Sequence, residues 1–117
     1  MRNGGAVLVV NFVLDGQEFS ALNGGPQFKF TEAVSFVVKC KGQKEVDYYW
    51  DKLTADGGEE SMCGWCKDRW GISWQITPRT LTEAMSKGGD EAKRAFNAMM
   101  QMKKIDVAAI DAARRGK

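Results

Sequence analysis

The sequence predicts an α+β fold in which helices cover part of a curved sheet. Three observations carry the prediction. Short runs of alternating apolar and polar residues, separated by tight turns, fill most of the first two thirds of the chain. A single helical stripe, Val46, Tyr49, Trp50 and Leu53 at i, i+3, i+4 and i+7, interrupts them. The last third reads as helices punctuated by glycine pairs and capping residues. Tight turns imply antiparallel pairing of the strands they join.

Taken in order, residues 7–14 are rich in β-branched side chains and read as a strand. Asp15-Gly16 supplies the positive-φ pair of a two-residue hairpin, and residues 17–22 return. Asn23-Gly24-Gly25-Pro26 ends that strand. Residues 34–40 form the next strand, with at least one buried face. The helix spans 43–55 and stops at Gly57-Gly58. Residues 59–67 and 72–77 read as two strands joined by Asp68-Arg69-Trp70-Gly71. Thr80-Leu81-Thr82-Glu83 fits a capping box. Asp90 and Asp106 can cap two later helices, the first carrying Ala95, Phe96, Met99 and Met102. Methionines at that spacing are read as core or dimer packing.

The 117 residues make one domain, large enough to bury a core without disulfides or metals. A formal net charge of +2 argues against a dedicated nucleic-acid binder. The short basic run Arg114, Arg115, Lys117 reads as a solvated tail. The apolar run at 6–10 is too short for a signal peptide or a membrane span, so no membrane partner is expected, and three cysteines, an odd number, suggest no disulfide framework and leave a reducing cytoplasm as the expected location. Histidine is absent, so imidazole-based nucleophilic catalysis is excluded for this chain. Neither Gly4-Gly5 nor Gly24-Gly25 has the spacing of a phosphate-binding loop.

Cys63-Gly64-Trp65-Cys66 has the spacing of a thioredoxin-type redox pair. On a strand, however, i and i+3 lie roughly 10 Å apart and face opposite ways. A bridge needs Cα atoms within about 7 Å, so it would require a bend at Gly64. Zinc would need a fourth ligand beyond Cys40, Cys63 and Cys66. The alternation says more. Ile72, Trp74 and Ile76 share an apolar face suited to a helix. Ser73, Gln75 and Thr77 share the other. On the partner strand Met62, Gly64 and Cys66 face one way, and Cys63, Trp65 and Lys67 the other. A face mixing Trp with Ser, Gln and Cys has the make-up of a ligand pocket or of a solvated surface, and alternation does not say which face lines a concavity.

Several blocks together resemble one family. They are Leu14-Asp15-Gly16-Gln17, Leu22-Asn23-Gly24-Gly25-Pro26, Glu45-Val46-Asp47-Tyr48-Tyr49-Trp50, and Cys63-Gly64-Trp65 leading through Lys67-Asp68 to Trp74-Gln75-Ile76. They resemble the PhnB-like branch of the vicinal-oxygen-chelate superfamily, whose members often carry the label 3-demethylubiquinone-9 3-methyltransferase. The resemblance runs from about residue 7 to residue 113. It implies βαβββ modules used in pairs to form a cup. The chain then holds a hairpin from an incomplete first module at 1–26, one βαβββ module at 33–78 and C-terminal helices at 79–117. The missing part implies either a fragment or alternative start, or a homodimer that shares strands or modules.

Metal-dependent relatives place a Glu on the closing strand of each module. Gln75 stands at that position here, and Asn23 is near the first module's equivalent. The resemblance therefore implies a small-molecule ligand bound by Asn23, Trp65, Ser73 and Gln75, with no cofactor predicted. A divalent metal held across a dimer is the alternative, followed by a non-catalytic interaction protein and a thiol oxidoreductase. No residue is assigned a catalytic role, and the methyltransferase label finds no nucleotide-binding loop to support it.

Overall fold

A computed structural model describes residues 2–3 and 6–116. Met1, Gly4-Gly5 and Lys117 lie outside the described residues. The short strands β1 (Arg2–Asn3) and β2 (Ala6–Val7) pair antiparallel. Next come β3 (Val9–Leu14) and β4 (Gln17–Leu22), in register from Val9↔Leu22 to Leu14↔Gln17. Their turn is the one the sequence demands. Asp15 and Gly16 take φ of 50° and 79°, matching the right-handed strand twist of a two-residue hairpin. Phe12 stacks on its cross-strand partner Phe19, with centroids 5.7 Å apart. Phe19 in turn meets Phe36 edge-on. Val10, Val13, Leu14 and Leu22 remain exposed. The molecule is elongated, 60 Å by 27 Å by 24 Å.

The main sheet contains β5 (Ser35–Cys40), β6 (Glu59–Glu60), β7 (Trp65–Lys67) and β8 (Ser73–Pro78), in the order β5-β8-β7-β6. The connections β6–β7 and β7–β8 are antiparallel, as the turns predict. The pair β5–β8, which no tight turn joins, is parallel. The reason is the crossover: α1 (Gln43–Thr54) carries the chain over one face before the last three strands return. The helix buries Val46 and Trp50 against Cys40, Cys66 and Ile76, with Val38, Leu53 and Trp74 around them. Tyr49, in the same stripe, stays partly exposed and packs edge-on against Tyr48. The Trp50 indole nitrogen donates to Glu60 Oε2 at 2.7 Å, which satisfies the polar end of a buried ring.

The continuous strand expected over 59–67 is broken. Cys63 and Gly64 both have positive φ, 61° and 82°, and turn the chain between β6 and β7. Their amides leave the sheet ladder and donate to Met102 O and Lys103 O at 2.7 and 2.8 Å. A side chain at position 64 would meet Ile105 Cγ1 at 3.0 Å in addition to the left-handed backbone, so glycine is required there.

Three helices close the chain: α2 (Arg79–Lys87), α3 (Gly89–Met99) and α4 (Val107–Arg114). They enclose a second core of Leu81, Ala84, Ala95, Ile105 and Ile110, with Met99 and Met102 packed against it. Phe96 stays exposed. Asp106 caps α4, accepting from Ala109 N. The other two caps differ from expectation. Helix α2 begins at Arg79 with Pro78 as N-cap, and Thr80 Oγ1 instead donates to Asp111. Glycine, not Asp90, caps α3. Gln43 ties the two cores together. Its amide nitrogen donates to Ile105 O, and its amide oxygen accepts from Val107 N.

Candidate ligand-binding face

Helix α1 covers one face of the main sheet, and strand pairing defines the other. Residues directly opposite each other share a face. Glu59, Lys67, Ser73 and Ser35 therefore form one row across β6, β7, β8 and β5. Trp65, Gln75 and Val37 form the next row. Of the four residues predicted to bind ligand, Trp65, Ser73 and Gln75 thus come together. Asn23 is not among them. It closes the base of the β3–β4 hairpin, its backbone N donating to Leu8 O and its side chain to Val7 O at 3.1 Å.

The face has a distinct polar pattern. Gln75 Nε2 donates to Ser35 Oγ at 2.9 Å, fixing the amide across the parallel pair. Lys67 Nζ lies 3.0 Å from Glu32 Oε1, so a residue of the loop before β5 is latched onto the sheet. The ammonium beside it, hydrogen-bonded and attractive, lowers the Glu32 carboxyl below its ordinary range. Ser73 is 1% exposed, and its hydroxyl has no hydrogen-bond partner among the described residues. Lys67 was visible in the alternation beside Trp65. Glu32 was not, because a loop residue reaches a sheet only through tertiary structure.

The turn after β7 is held by a residue that sequence reasoning passed over. Asp68 is buried, and its Oδ1 accepts from the amides of Trp70 and Ile72, each at 3.0 Å. Its Oδ2 accepts from the Trp74 indole nitrogen at 3.0 Å. An aspartate two residues ahead of an amide it can accept from, at the start of a tight turn, is the signal that could have found it.

The two halves of the Cys-x-x-Cys motif have different surroundings. Cys66 lies in the α1 core, and burial, then Asp68, then Glu60, push its thiol up to about 11. Burial and Glu45 do the same to Cys40. Cys63 sits in the turn with its Sγ 3.5 Å from Met100 Sδ, and all three thiols are free. Neither a helix N-terminus nor a cation activates Cys66. Iodoacetamide at pH 7.5 should therefore label Cys63 in the folded protein, and Cys40 and Cys66 only after unfolding. Prompt labelling of Cys66, read by peptide mass, would contradict its burial beneath α1.

The donor set on this face does not suit a divalent metal. Gln75 offers a neutral amide already bonded to Ser35, and the sequence has no histidine. Among the described residues, no three of His, Cys, Asp and Glu come close enough to hold an ion.

Comparison with known proteins agrees with the blocks quoted from the sequence. The family model described as 3-demethylubiquinone-9 3-methyltransferase matches residues 1–77. The chain belongs to that family. A solved structure similar to it is the putative 3-demethylubiquinone-9 3-methyltransferase, PhnB protein, from Bacillus cereus. The two are 32% identical with a TM-score of 0.58, over 66% of this chain and 68% of that one. No curated protein matches. The family match ends within β8, so helices α2–α4 lie beyond it, short of the reach to residue 113 that the motif resemblance implied. No helix among the described residues is long and apolar enough to cross a membrane.

Proposed function

We propose that this PhnB-type chain is a small-molecule-binding protein of the vicinal-oxygen-chelate superfamily. In this reading the ligand lies on the open face of the main sheet without a metal. The observation that carries it is the convergence of Trp65, Ser73 and Gln75 on the one sheet face that α1 leaves uncovered. An aromatic wall with a few fixed polar groups is what orients a small ligand. Methyl transfer is not part of the reading. The main sheet has a single parallel pair, and no glycine-rich loop leads from a strand into a helix at its carboxyl end.

A second copy of the chain is the proposed partner that completes the cup. A two-stranded ribbon is marginal by itself, yet β3–β4 exposes Val10, Val13, Leu14 and Leu22. Val37 on the open face is 51% exposed as well. Apolar surface of this extent is a mark of association.

One solution experiment tests the reading. Light scattering should give twice the mass of the single chain. A fragment screen followed by amide NMR should shift Trp65, Ser73 and Gln75 together, without added metal. Hits that move only the helices α2–α4, or that need a divalent ion, would overturn it.

A further inference from the structure

We propose that the α1 side of the main sheet carries a second site, which takes a small apolar carboxylate with one negative charge. It lies across the sheet from the open face and does not depend on the reading of that face. Register puts Phe36 opposite Trp74 and Trp74 opposite Cys66, whose side chain lies in the α1 core. Ile72, two residues before Trp74, points to the same side. The helix buries Cys40, Cys66 and Ile76, but its cover stops short of the start of β5, where Phe36 is 39% exposed. A cavity of about 310 Å³ opens there, walled by Phe30, Val34, Phe36 and Ile72. That volume is at the lower end of the range for ligand pockets, and aromatic and aliphatic walls are their usual lining.

The walls are fixed before a ligand arrives. Phe36 is held between Phe19, edge-on at 6.1 Å, and Trp74 at 5.3 Å. The loop before β5 supplies the opposite wall and is held twice. Glu32 is paired with Lys67, and Phe30 rests on the turn after β7, where a Cβ on Gly71 would lie 4.0 Å from that of Phe30. Groups already in place lose little freedom on binding. Two polar side chains of the lining reach solvent, Lys29 and Thr31, and both have hydrogens to donate. Thr31 Oγ1 accepts from Ala33 N at 3.2 Å, which leaves its hydroxyl proton to donate. Lys29 makes no ion pair among the described residues, because Glu32, the acid of the same loop, is committed to Lys67. No carboxylate among the described residues lines this cavity, and the fully buried Ser73 hydroxyl at its border takes no part. A carboxylate on an apolar body matches this arrangement. The body lies against the rings, and the oxygens accept from the ammonium and the hydroxyl. An amine would set a second cation beside Lys29 with no acid to offset it. An alcohol would leave the ammonium's charge unused.

The test compares phenylacetate, 2-phenylethanol and 2-phenylethylamine. Each is titrated by amide NMR into the protein and into its Lys29→Gln and Lys29→Arg variants. Phenylacetate should bind best, shifting Phe30, Val34, Phe36 and Ile72 together. Lys29→Gln should weaken it about three- to five-fold, the range for an exposed ion pair, and leave 2-phenylethanol unchanged. Lys29→Arg should restore most of the loss. Added salt should weaken the acid and not the alcohol. Lys29 is exposed, so neither variant puts the fold at risk. Tighter binding of the alcohol or the amine would overturn the proposal. So would equal losses for acid and alcohol in Lys29→Gln, or shifts confined to Trp65 and Gln75. Binding to phosphatidylglycerol vesicles without binding of free phenylacetate would overturn it as well, because the aromatic loop would then be meeting a bilayer. If no member of the series binds, the proposal fails. The open-face reading is judged separately, by the fragment screen and the shifts of Trp65, Ser73 and Gln75 on the other side of the sheet.

Discussion

Replacing Trp50 with alanine should destabilise the protein by about 3–5 kcal/mol, the range for truncating a large buried aromatic side chain. Trp50 is 2% exposed and sits at the centre of the contact between α1 and the main sheet, against Cys40, Cys66 and Ile76. Two terms add. The indole's apolar area loses its burial, and the rigid sheet beneath cannot close the cavity. The hydrogen bond to Glu60 contributes less, because Glu60 is exposed and regains water when the ring is gone. Since a domain of this size is stable by only about 5–15 kcal/mol, the variant should lose a large part of its margin. Urea denaturation followed by far-UV circular dichroism measures this. Trp50→Phe, which keeps a ring in the same place, should cost less than half as much. A loss below about 1 kcal/mol for Trp50→Ala would mean that α1 does not pack on this face. The second core of Leu81, Ala84, Ala95, Ile105 and Ile110 gives a further readout. If it melts apart from the first, helical signal should persist above the main transition.

That same contact was legible in the sequence, since Val46 and Trp50 are four residues apart and any helix brings them to one side. The hairpin was legible for a similar reason. Asp15-Gly16 can adopt the paired positive φ that a two-residue turn needs, and the strand at 17–22 follows from it. The prediction over 59–67 failed where local periodicity stopped deciding. The amides of Cys63 and Gly64 bond to Met102 and Lys103, some forty residues away, and no alternation within the segment reports that tie. The capping box failed for an equivalent reason, because Thr80 finds Asp111 on another helix.

The site divides in the same way. Trp65, Ser73 and Gln75 meet because a period of two and a short antiparallel connection bring them onto one face. Lys67 belonged to that alternation as well, and its importance emerged only with Glu32 beside it. Asn23 was assigned by analogy of position. Its side chain is spent on the Val7 carbonyl at the hairpin base, which is a local role that family position does not reveal.

The turn that sets Ser73 in place gives the second large expected effect. Asp68→Ala should cost about 3–5 kcal/mol, because one carboxylate there holds three donors. Two belong to the backbone of the connection, and the third to the half-buried Trp74 ring. Removing the acceptor leaves the Ile72 amide and the Trp74 indole nitrogen without their partner. Water can reach the Trp70 amide more easily, since that residue is exposed. Asp68→Asn separates the contributions. Its amide oxygen can still accept from both backbone amides, but its NH2 group then faces the Trp74 N–H, donor against donor. The loss should be intermediate, about 2 kcal/mol, and confined to the Trp74 contact. Indole proton shifts should therefore change for Trp74 in both variants, while the Ile72 amide shift changes only in Asp68→Ala. Binding should follow the backbone and not the ring. Ile72 immediately precedes Ser73, and its amide is held by Asp68, so Asp68→Ala should weaken fragment binding on the open face, whereas Asp68→Asn should largely preserve it. Equal losses of binding in the two variants would mean that the Trp74 contact, and not the backbone of the turn, governs binding on the open face.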